Sequence, residues 1–440
     1  MKRLAALLLL AWAACDPQKA NWGLDAIDGM TTPPDDPTLG CGVTFPADST
    51  AQKRAECTFQ PGALASQSLG VDAQLAARIP IRHVIVLMKE NRSFDHLLGK
   101  LHDVQPDVEP IPADYSNLGA GGAPVLPAHA TTTCIPFDPN HQSQSIAACI
   151  DGGKMDGFVK NAAATTASDG SFATSYYDAG DLPYDYWLAS TFAIADRDFA
   201  PMATGTFANR NFLMFATNAG VVDTGILYAP PSTPSIFQEL MSAGFTWGAY
   251  SDGAPLSASL GWSATDPGVH PLSALLDALD HGTLPNVAFV DGIENVDDDH
   301  PLADVQHGEA WTKTIVDHAM ASPEWSRLAV LWTYDECGAF ADHVPPPAAC
   351  DGGERGPRVP LVAISPWAKR HYVSHVVRDH TAITRFVELL FGLPALGARD
   401  ANSDALLDLF DFSCGRDLSV PAAPSPGTGG CPNPPPPGAD

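Results

Sequence analysis

Five short apolar runs recur along the chain, at positions 83–88, 245–250, 287–290, 328–333 and 360–365, and none alternates with polar residues. Runs of this kind predict strands buried on both faces, and hence a mainly parallel sheet. Helical patterns lie between them at 235–243, 309–321 and 381–391, the last opened by Asp379 as an N-cap. The order predicts one large α/β domain, a central sheet with helices on both faces, over residues 77–418. No internal repeat is visible. Residues 15–76 are rich in Pro, Gly, Asp and Thr without apolar periodicity, which predicts a tether and a small disulfide-closed extension. Residues 419–440 form a Pro/Gly-rich tail that ends in four consecutive prolines, Pro434 to Pro437, and is expected to be loose beyond Cys431.

The two ends of this pattern carry a targeting signal and a cysteine count. Met1-Lys2-Arg3 followed by apolar residues 4–14 reads as a signal peptide, with an apolar core too short to span a bilayer. It ends at Ala13-Ala14-Cys15, similar to a bacterial lipoprotein cleavage site with Cys15 as lipid acceptor, although Trp12 stands where a small aliphatic residue is usual. The expected locations are therefore periplasm or outer membrane for a lipoprotein, or the exterior for a secreted protein. Of nine cysteines, eight remain after Cys15, an even set suited to disulfides in an oxidising compartment. Nearest-neighbour pairing would join Cys41 to Cys57, Cys134 to Cys149, Cys337 to Cys350 and Cys414 to Cys431. No other stretch is long and apolar enough to cross a membrane.

Composition narrows the partners. With 45% hydrophobic and 17% charged residues the 440-residue chain can bury a full-sized core. Its 24 Lys+Arg against 51 Asp+Glu give a net charge of -27, which repels nucleic acid at long range. An anionic ligand would need local neutralisation by a bound cation or by converging His and Lys side chains. Polar residues cluster where the strands end: 89–96 after the first run, Asp297-Asp298-Asp299-His300 after the third and Asp335-Glu336 after the fourth. In open α/β sheets that edge binds ligands. One such cluster alone reads as a solvated turn or a helix cap. Three on one edge point instead to a divalent cation held by carboxylate and amide oxygens; Mg²⁺, Ca²⁺ and Zn²⁺ all remain open.

The string from His83 to His96, HVIVLMKENRSFDH, resembles the opening motif of the bacterial phospholipase C and acid phosphatase phosphoesterase family. Further matches follow in the family's order: Gly153 to Phe158, Thr206-Phe-Ala-Asn209-Arg210, Asp299-His300-Pro301, Tyr334-Asp335-Glu336, Asp342-His343 and Asp379-His380-Thr381. They span roughly residues 81–412. The resemblance implies an alkaline-phosphatase-like fold and a metal-dependent hydrolase in which Thr206 attacks phosphorus. It implies Glu90, Asn91, Thr206, Asp335 and Glu336 as ligands of one divalent ion, and His141 and His300 around the phosphate, either of them able to protonate the leaving oxygen. Arg92, Asp95, His96, Asn209, Asp342, His343, Asp379 and His380 are expected to brace those groups. As residues alone, Thr206 before a helical stretch is either an N-cap or a nucleophile facing an incoming phosphate. Departures from the family pattern are Thr204-Gly205 where Gly-Pro is usual, and Cys337 where His or Gly is common. The implied reaction is phospholipase C-like phosphodiester hydrolysis; a phosphomonoesterase and a non-catalytic binding lipoprotein are the alternatives.

Overall fold

All seven residues of the strand Leu328–Tyr334 and all five of Val287–Asp291 are buried, as expected of apolar runs in the middle of a sheet covered on both faces. The computed structural model describes residues 41–223, 234–253, 255, 268–414, 419–428 and 430. The signal peptide at 1–14, Cys15, most of the expected tether and the tail from 431 lie outside them. Among the described residues the main sheet has eight strands, β1 (His83–Lys89), β2 (Ala193–Ala195), β3 (Trp247–Tyr250), β4 (Val269–His270), β5 (Val287–Asp291), β6 (Leu328–Tyr334), β7 (Leu361–Ile364) and β8 (Tyr372–Ser374). Their spatial order is β8-β2-β7-β6-β1-β5-β3-β4. β1 lies parallel between β5 and β6, with Met88 level with Asp291 and Lys89 level with Tyr334. That register brings the carboxyl ends of three strands side by side, so the residues that follow them share one edge.

The five expected strands all form. β7 runs antiparallel to β6 and β2, because the chain returns from β6 without a helix, and a parallel return needs a crossover. β2, β4 and β8, of two or three residues each, are too short to leave a pattern. The helices used below are α1 (Phe94–Leu98), α2 (Ser143–Ile150), α3 (Thr206–Phe215), α4 (Val305–Ala321) and α5 (Thr381–Phe391). The cap of α5 differs slightly from expectation. His380 is its N-cap residue, while the Asp379 carboxylate, one residue earlier, accepts the Thr381 N–H at 3.1 Å.

Residues 41–76 carry short helices, and Val43, Leu69 and Val71 enter the main core. The expected cysteine pairing is corrected: Cys41 bonds Cys414 and Cys57 bonds Cys350, across separations of 373 and 293 residues. The extension is thus fastened to the domain rather than closed on itself. Its backbone already lies there, with Gly42 N–H on the Phe412 carbonyl at 2.8 Å, so closeness in sequence was the wrong guide. Cys134 is also disulfide-bonded. Cys149 and Cys337 are buried thiols in a small apolar cluster with Ile146, Met155 and Phe158, and burial pushes both thiols up in pKa. Alkylation after unfolding without reductant should therefore mark the peptides carrying Cys149 and Cys337 and leave those of Cys41, Cys57, Cys350 and Cys414 unmarked in a mass map. At the other end, Gly427 N–H donates to Glu309 on α4 at 2.7 Å, holding the described part of the tail against the domain.

Candidate active site

Beyond β1 the chain turns at Glu90 and Asn91 before α1 begins behind its cap, Ser93, whose hydroxyl accepts the His96 N–H at 3.2 Å. Glu90 N–H is tied to the Asp298 carbonyl at 2.8 Å, and Asn91 N–H to Asp335 Oδ1 at 3.2 Å. The turn is tight: Asn91 has φ +56°, a conformation that Asn tolerates better than most residues. Gly338, at φ +59°, passes so close that a Cβ there would stand 2.3 Å from the Asn91 carbonyl oxygen. Only glycine fits at that crossing.

Thr206 is the first residue of α3, and the N-cap is Gly205. Its side chain therefore does no capping. It is 5% exposed and its hydroxyl lies 3.1 Å from Glu90 Oε2 and 3.4 Å from Asn91 Oδ1. Asn209 holds the loop in front of it, donating to the Thr204 and Gly205 carbonyls at 2.8 and 3.0 Å and accepting Met202 N–H at 2.8 Å. Asp335, after β6, accepts Glu336 N–H through Oδ1 at 2.7 Å, and Glu336 Oε2 accepts Gly338 N–H at 2.7 Å. Residues from positions 90 to 336 thus meet in one oxygen-rich cluster.

The orientation of the Asn91 amide bears on what this cluster could hold. One end stands 2.8 Å from His300 Nε2, and the other faces Glu90, Asp335 and Glu336. Burial holds the His300 pKa down, and its Nδ1 lies 3.1 Å from both Asn295 Oδ1 and the Pro301 carbonyl. A neutral His300 carries its proton on that Nδ1, leaving Nε2 to accept from the Asn91 NH₂. Asn91 Oδ1 then points among carboxylate oxygens and the Thr206 hydroxyl. An acceptor ringed by acceptors calls for a cation, and five oxygen donors from Glu90, Asn91, Thr206, Asp335 and Glu336 suit a hard divalent ion. With the amide reversed, its NH₂ meets Glu336 Oε1 at 2.8 Å, Glu90 Oε2 at 3.1 Å and Asp335 Oδ1 at 3.2 Å.

The cluster also holds a cation of the protein's own, Arg210, which is absent from the sequence-based site. Arg210 Nη2 lies 2.6 Å from Glu90 Oε1, Nη1 2.5 Å from Asp291 Oδ1, and Nε 3.4 Å from Asp335 Oδ2, with the guanidinium 1% exposed. Its signal was legible: position 210 is four residues after Thr206 on one helix, hence on the same face. Asp291, the last residue of β5, stands on the same sheet edge as the residues singled out after β1 and β6. Burial, reinforced by Asp335, raises the Glu90 pKa well above the usual carboxylate range, and burial pushes Glu336 up to about 8. Both shifts express burial first, with Asp335 adding to each.

His141 and His300 flank this cluster, their ring centroids 6.1 Å apart. Burial acts to lower the His141 pKa, but Glu336 and Asp138 outweigh it and push it up to about 10. Asp138, His141 and His300 can each offer a ligand atom within 4.8 Å of the others, and Asp138 is a further residue that sequence reasoning missed. The remaining expected residues sit in supporting networks. Arg92 donates to the Asp299 carbonyl at 2.8 Å, and His96 lies 3.3 Å from Arg92. Asp95 meets His343 at 2.6 Å and Arg358 at 2.9 Å, and Arg358 continues to Asp342 at 2.9 Å. Asp379 pairs with Arg355 and Arg399, and His380 Nε2 reaches the Asp335 carbonyl at 2.7 Å. One part of the acidic cluster after the third run turns away: Asp299 forms a fully buried pair with Lys89 at 2.7 Å and accepts the Tyr334 hydroxyl.

Non-specific phospholipase C1 of Arabidopsis thaliana is 30% identical over 372 residues, covering 73% of this chain and 69% of that protein. Non-hemolytic phospholipase C of Pseudomonas aeruginosa is 30% identical over 419 residues, covering 78% of this chain and 59% of its own length. Among solved structures, the phosphonate monoester hydrolase of Agrobacterium radiobacter matches at 10% identity and a TM-score of 0.39, covering 76% of this chain and 79% of that one. The phosphoesterase family profile matches residues 81–394, a span that contains every residue of the oxygen cluster, and the chain belongs to that family of hydrolases acting on phosphate esters.

Proposed function

We propose that the chain hydrolyses phosphodiesters of the phospholipid type through a covalent phospho-threonine at Thr206, with a divalent ion held by Glu90, Asn91, Thr206, Asp335 and Glu336. The observation that carries this reading is the Thr206 hydroxyl, buried, free of capping and aimed into the oxygen cluster. The free N–H groups at the start of α3 face the same way and favour an incoming phosphate. When bound, the ion would acidify the hydroxyl and offset charge on the phosphoryl oxygens.

The chain's own residues account for the rest. Thr206 Oγ passes its proton to Glu90 Oε2, 3.1 Å away, and bonds to phosphorus as the bond to the leaving alcohol breaks, and the departing oxygen takes a proton from His141, which Glu336 and Asp138 keep protonated. Water then gives a proton to the now neutral His141 and cleaves the phospho-threonine in a second displacement, and Thr206 Oγ takes its proton back from Glu90. Arg210 orients Glu90 and Asp335, and His300 holds the Asn91 amide. The phospholipase C names of the relatives favour a diester substrate, and a phosphomonoester is the second reading. Among the described residues no helix is long and apolar enough to cross a membrane. Export, with or without lipid on Cys15, remains our reading of residues 1–15.

The deciding comparison is hydrolysis of 4-nitrophenyl phosphorylcholine against 4-nitrophenyl phosphate, after chelation and after return of Mg²⁺, Ca²⁺ or Zn²⁺ singly. We expect the diester to be favoured, no turnover after chelation and recovery with one ion. Preference for the monoester would select the phosphatase reading. Inactivity on both with every ion would leave a binding module.

A further inference from the structure

Asp198 is fully buried, and neither of its carboxylate oxygens has a hydrogen-bond partner. The two-residue strand Asp198–Phe199 pairs in parallel with Arg378–Asp379, which sets Asp198 level with Arg378. The cations of that neighbourhood are committed elsewhere: Arg378 to Asp404 at 2.8 Å and Asp408 at 2.7 Å, Arg355 and Arg399 to Asp379 at 2.8 and 3.1 Å. His380 Nδ1 lies 4.0 Å from Asp198 Oδ2, and it too is buried without a hydrogen-bond partner. Burying either group alone costs free energy, and two such groups side by side can satisfy each other. We propose that Asp198 is a positioning residue of the site: it holds the His380 ring by a hydrogen bond at Nδ1, and the ring holds the peptide that joins Asp335 to Glu336.

The far side of the ring gives that contact its reach. His380 Nε2 lies 2.7 Å from the Asp335 carbonyl oxygen, and a carbonyl only accepts, so Nε2 carries a proton and Nδ1 is the nitrogen left for Asp198. The carbonyl belongs to the peptide between two of the proposed ligands. Glu336 N–H, at the other end of that peptide, is bonded within the pair, to Asp335 Oδ1 at 2.7 Å. His380 therefore ties the peptide to the fold from outside the pair, and a turn of the peptide would swing Glu336 relative to Asp335. The 4.0 Å separation is longer than a hydrogen bond, and a movement of about 1 Å at either side chain closes it. Loss of a partner that orients a metal ligand in this way weakens ion binding roughly 10- to 100-fold. The consequence for the ion rests on the ligand set proposed above, while the contact between Asp198 and His380 does not.

Asp198→Asn and Asp198→Leu separate the hydrogen bond from packing. The asparagine amide can donate to Nδ1 or accept from it, whereas leucine keeps a branched side chain and offers neither. Removing a buried carboxyl that has no partner leaves the fold little to lose, and Asp198→Ala repeats the test if leucine does not fit. Two measurements are made on the full chain. Binding of Mg²⁺, Ca²⁺ and Zn²⁺, each alone, is followed by calorimetry, and the ring nitrogens of His380 by NMR of protein labelled with ¹⁵N-histidine, the signals being identified by their absence in His380→Gln. Asp198→Leu and Asp198→Ala should weaken ion binding by roughly 10-fold or more and move the Nδ1 signal to the position of an unbonded ring nitrogen, while Asp198→Asn keeps affinity within about threefold of the parent. If the parent binds none of the three ions and the Nδ1 signal still moves, the contact is upheld and only the ion reading falls. An Nδ1 signal that neither apolar variant moves, ion binding equal to the parent's in both, or an asparagine variant as weak as the leucine one overturns the proposal.

Discussion

Thr206→Ala should lower turnover by at least roughly 10³-fold while leaving the content of bound ion nearly unchanged. The substitution removes one methyl and one hydroxyl at the first turn of α3, where Gly205 and not Thr206 is the cap, so helix and fold have little to lose. Glu90, Asn91, Asp335 and Glu336, the other proposed ligands, remain, and no concentration of ion supplies a nucleophile. Thr206→Ser keeps the attacking oxygen and should retain a measurable fraction of the activity. Acid quenching of the parent during turnover should trap phosphate on the peptide that contains Thr206. Near-native turnover by Thr206→Ala, or a quench that leaves that peptide unmodified, would mean that water attacks directly and that the hydroxyl is only a ligand.

How far the sequence led depended on whether a feature was written locally or made by distant parts meeting. The buried strands were legible because parallel packing demands unbroken apolar runs, and the runs at 83–88, 287–290 and 328–333 became the three central strands. The edge holding the site followed from what came after those runs. Sequence pattern failed for β2 and β8, three residues each, whose place is fixed by neighbours rather than by their own periodicity. It failed more plainly for the cysteines. Cys57 and Cys350 are adjacent only because the extension packs across the domain, and nothing local announces that. Arg210 is the instructive omission. It was read as part of a motif, and its place four residues after Thr206 put it on the same helix face, but only the fold shows that its partners are Glu90, Asp291 and Asp335, 120, 81 and 125 residues away. Asp299 shows the opposite error. Its place in an acidic run suggested a share in the site, whereas its carboxylate is spent on Lys89, a pair that fixes the β1 end from behind.

Arg210→Met should destabilise the chelated protein by about 3–5 kcal/mol at neutral pH, because it leaves buried carboxylates without their cation. Glu90, Asp291 and Asp335 are each at most 3% exposed at the side chain, so water cannot replace the guanidinium. The sign with pH follows from which state holds more protons. Glu90 already titrates well above the usual range and Glu336 near 8, so the folded chain keeps protons that the unfolded chain releases from about pH 4.5 upward. Their contribution is complete below the ordinary carboxylate range and is lost as pH rises toward 8. Loss of Arg210 raises the Glu90 pKa further, since that cation is among the groups lowering it. The deficit of Arg210→Met should therefore be small at pH 5 and largest near pH 8, and a saturating divalent ion should recover part of it by supplying the missing charge. Urea unfolding at the two pH values, with chelator and with ion, measures both effects. Arg210→Lys keeps the charge but reaches fewer of the three partners, so its deficit should be smaller and less dependent on pH. An equal deficit for Arg210→Met at pH 5 and pH 8, unmoved by ion, would assign the arginine to packing alone and remove it from the electrostatics of the site.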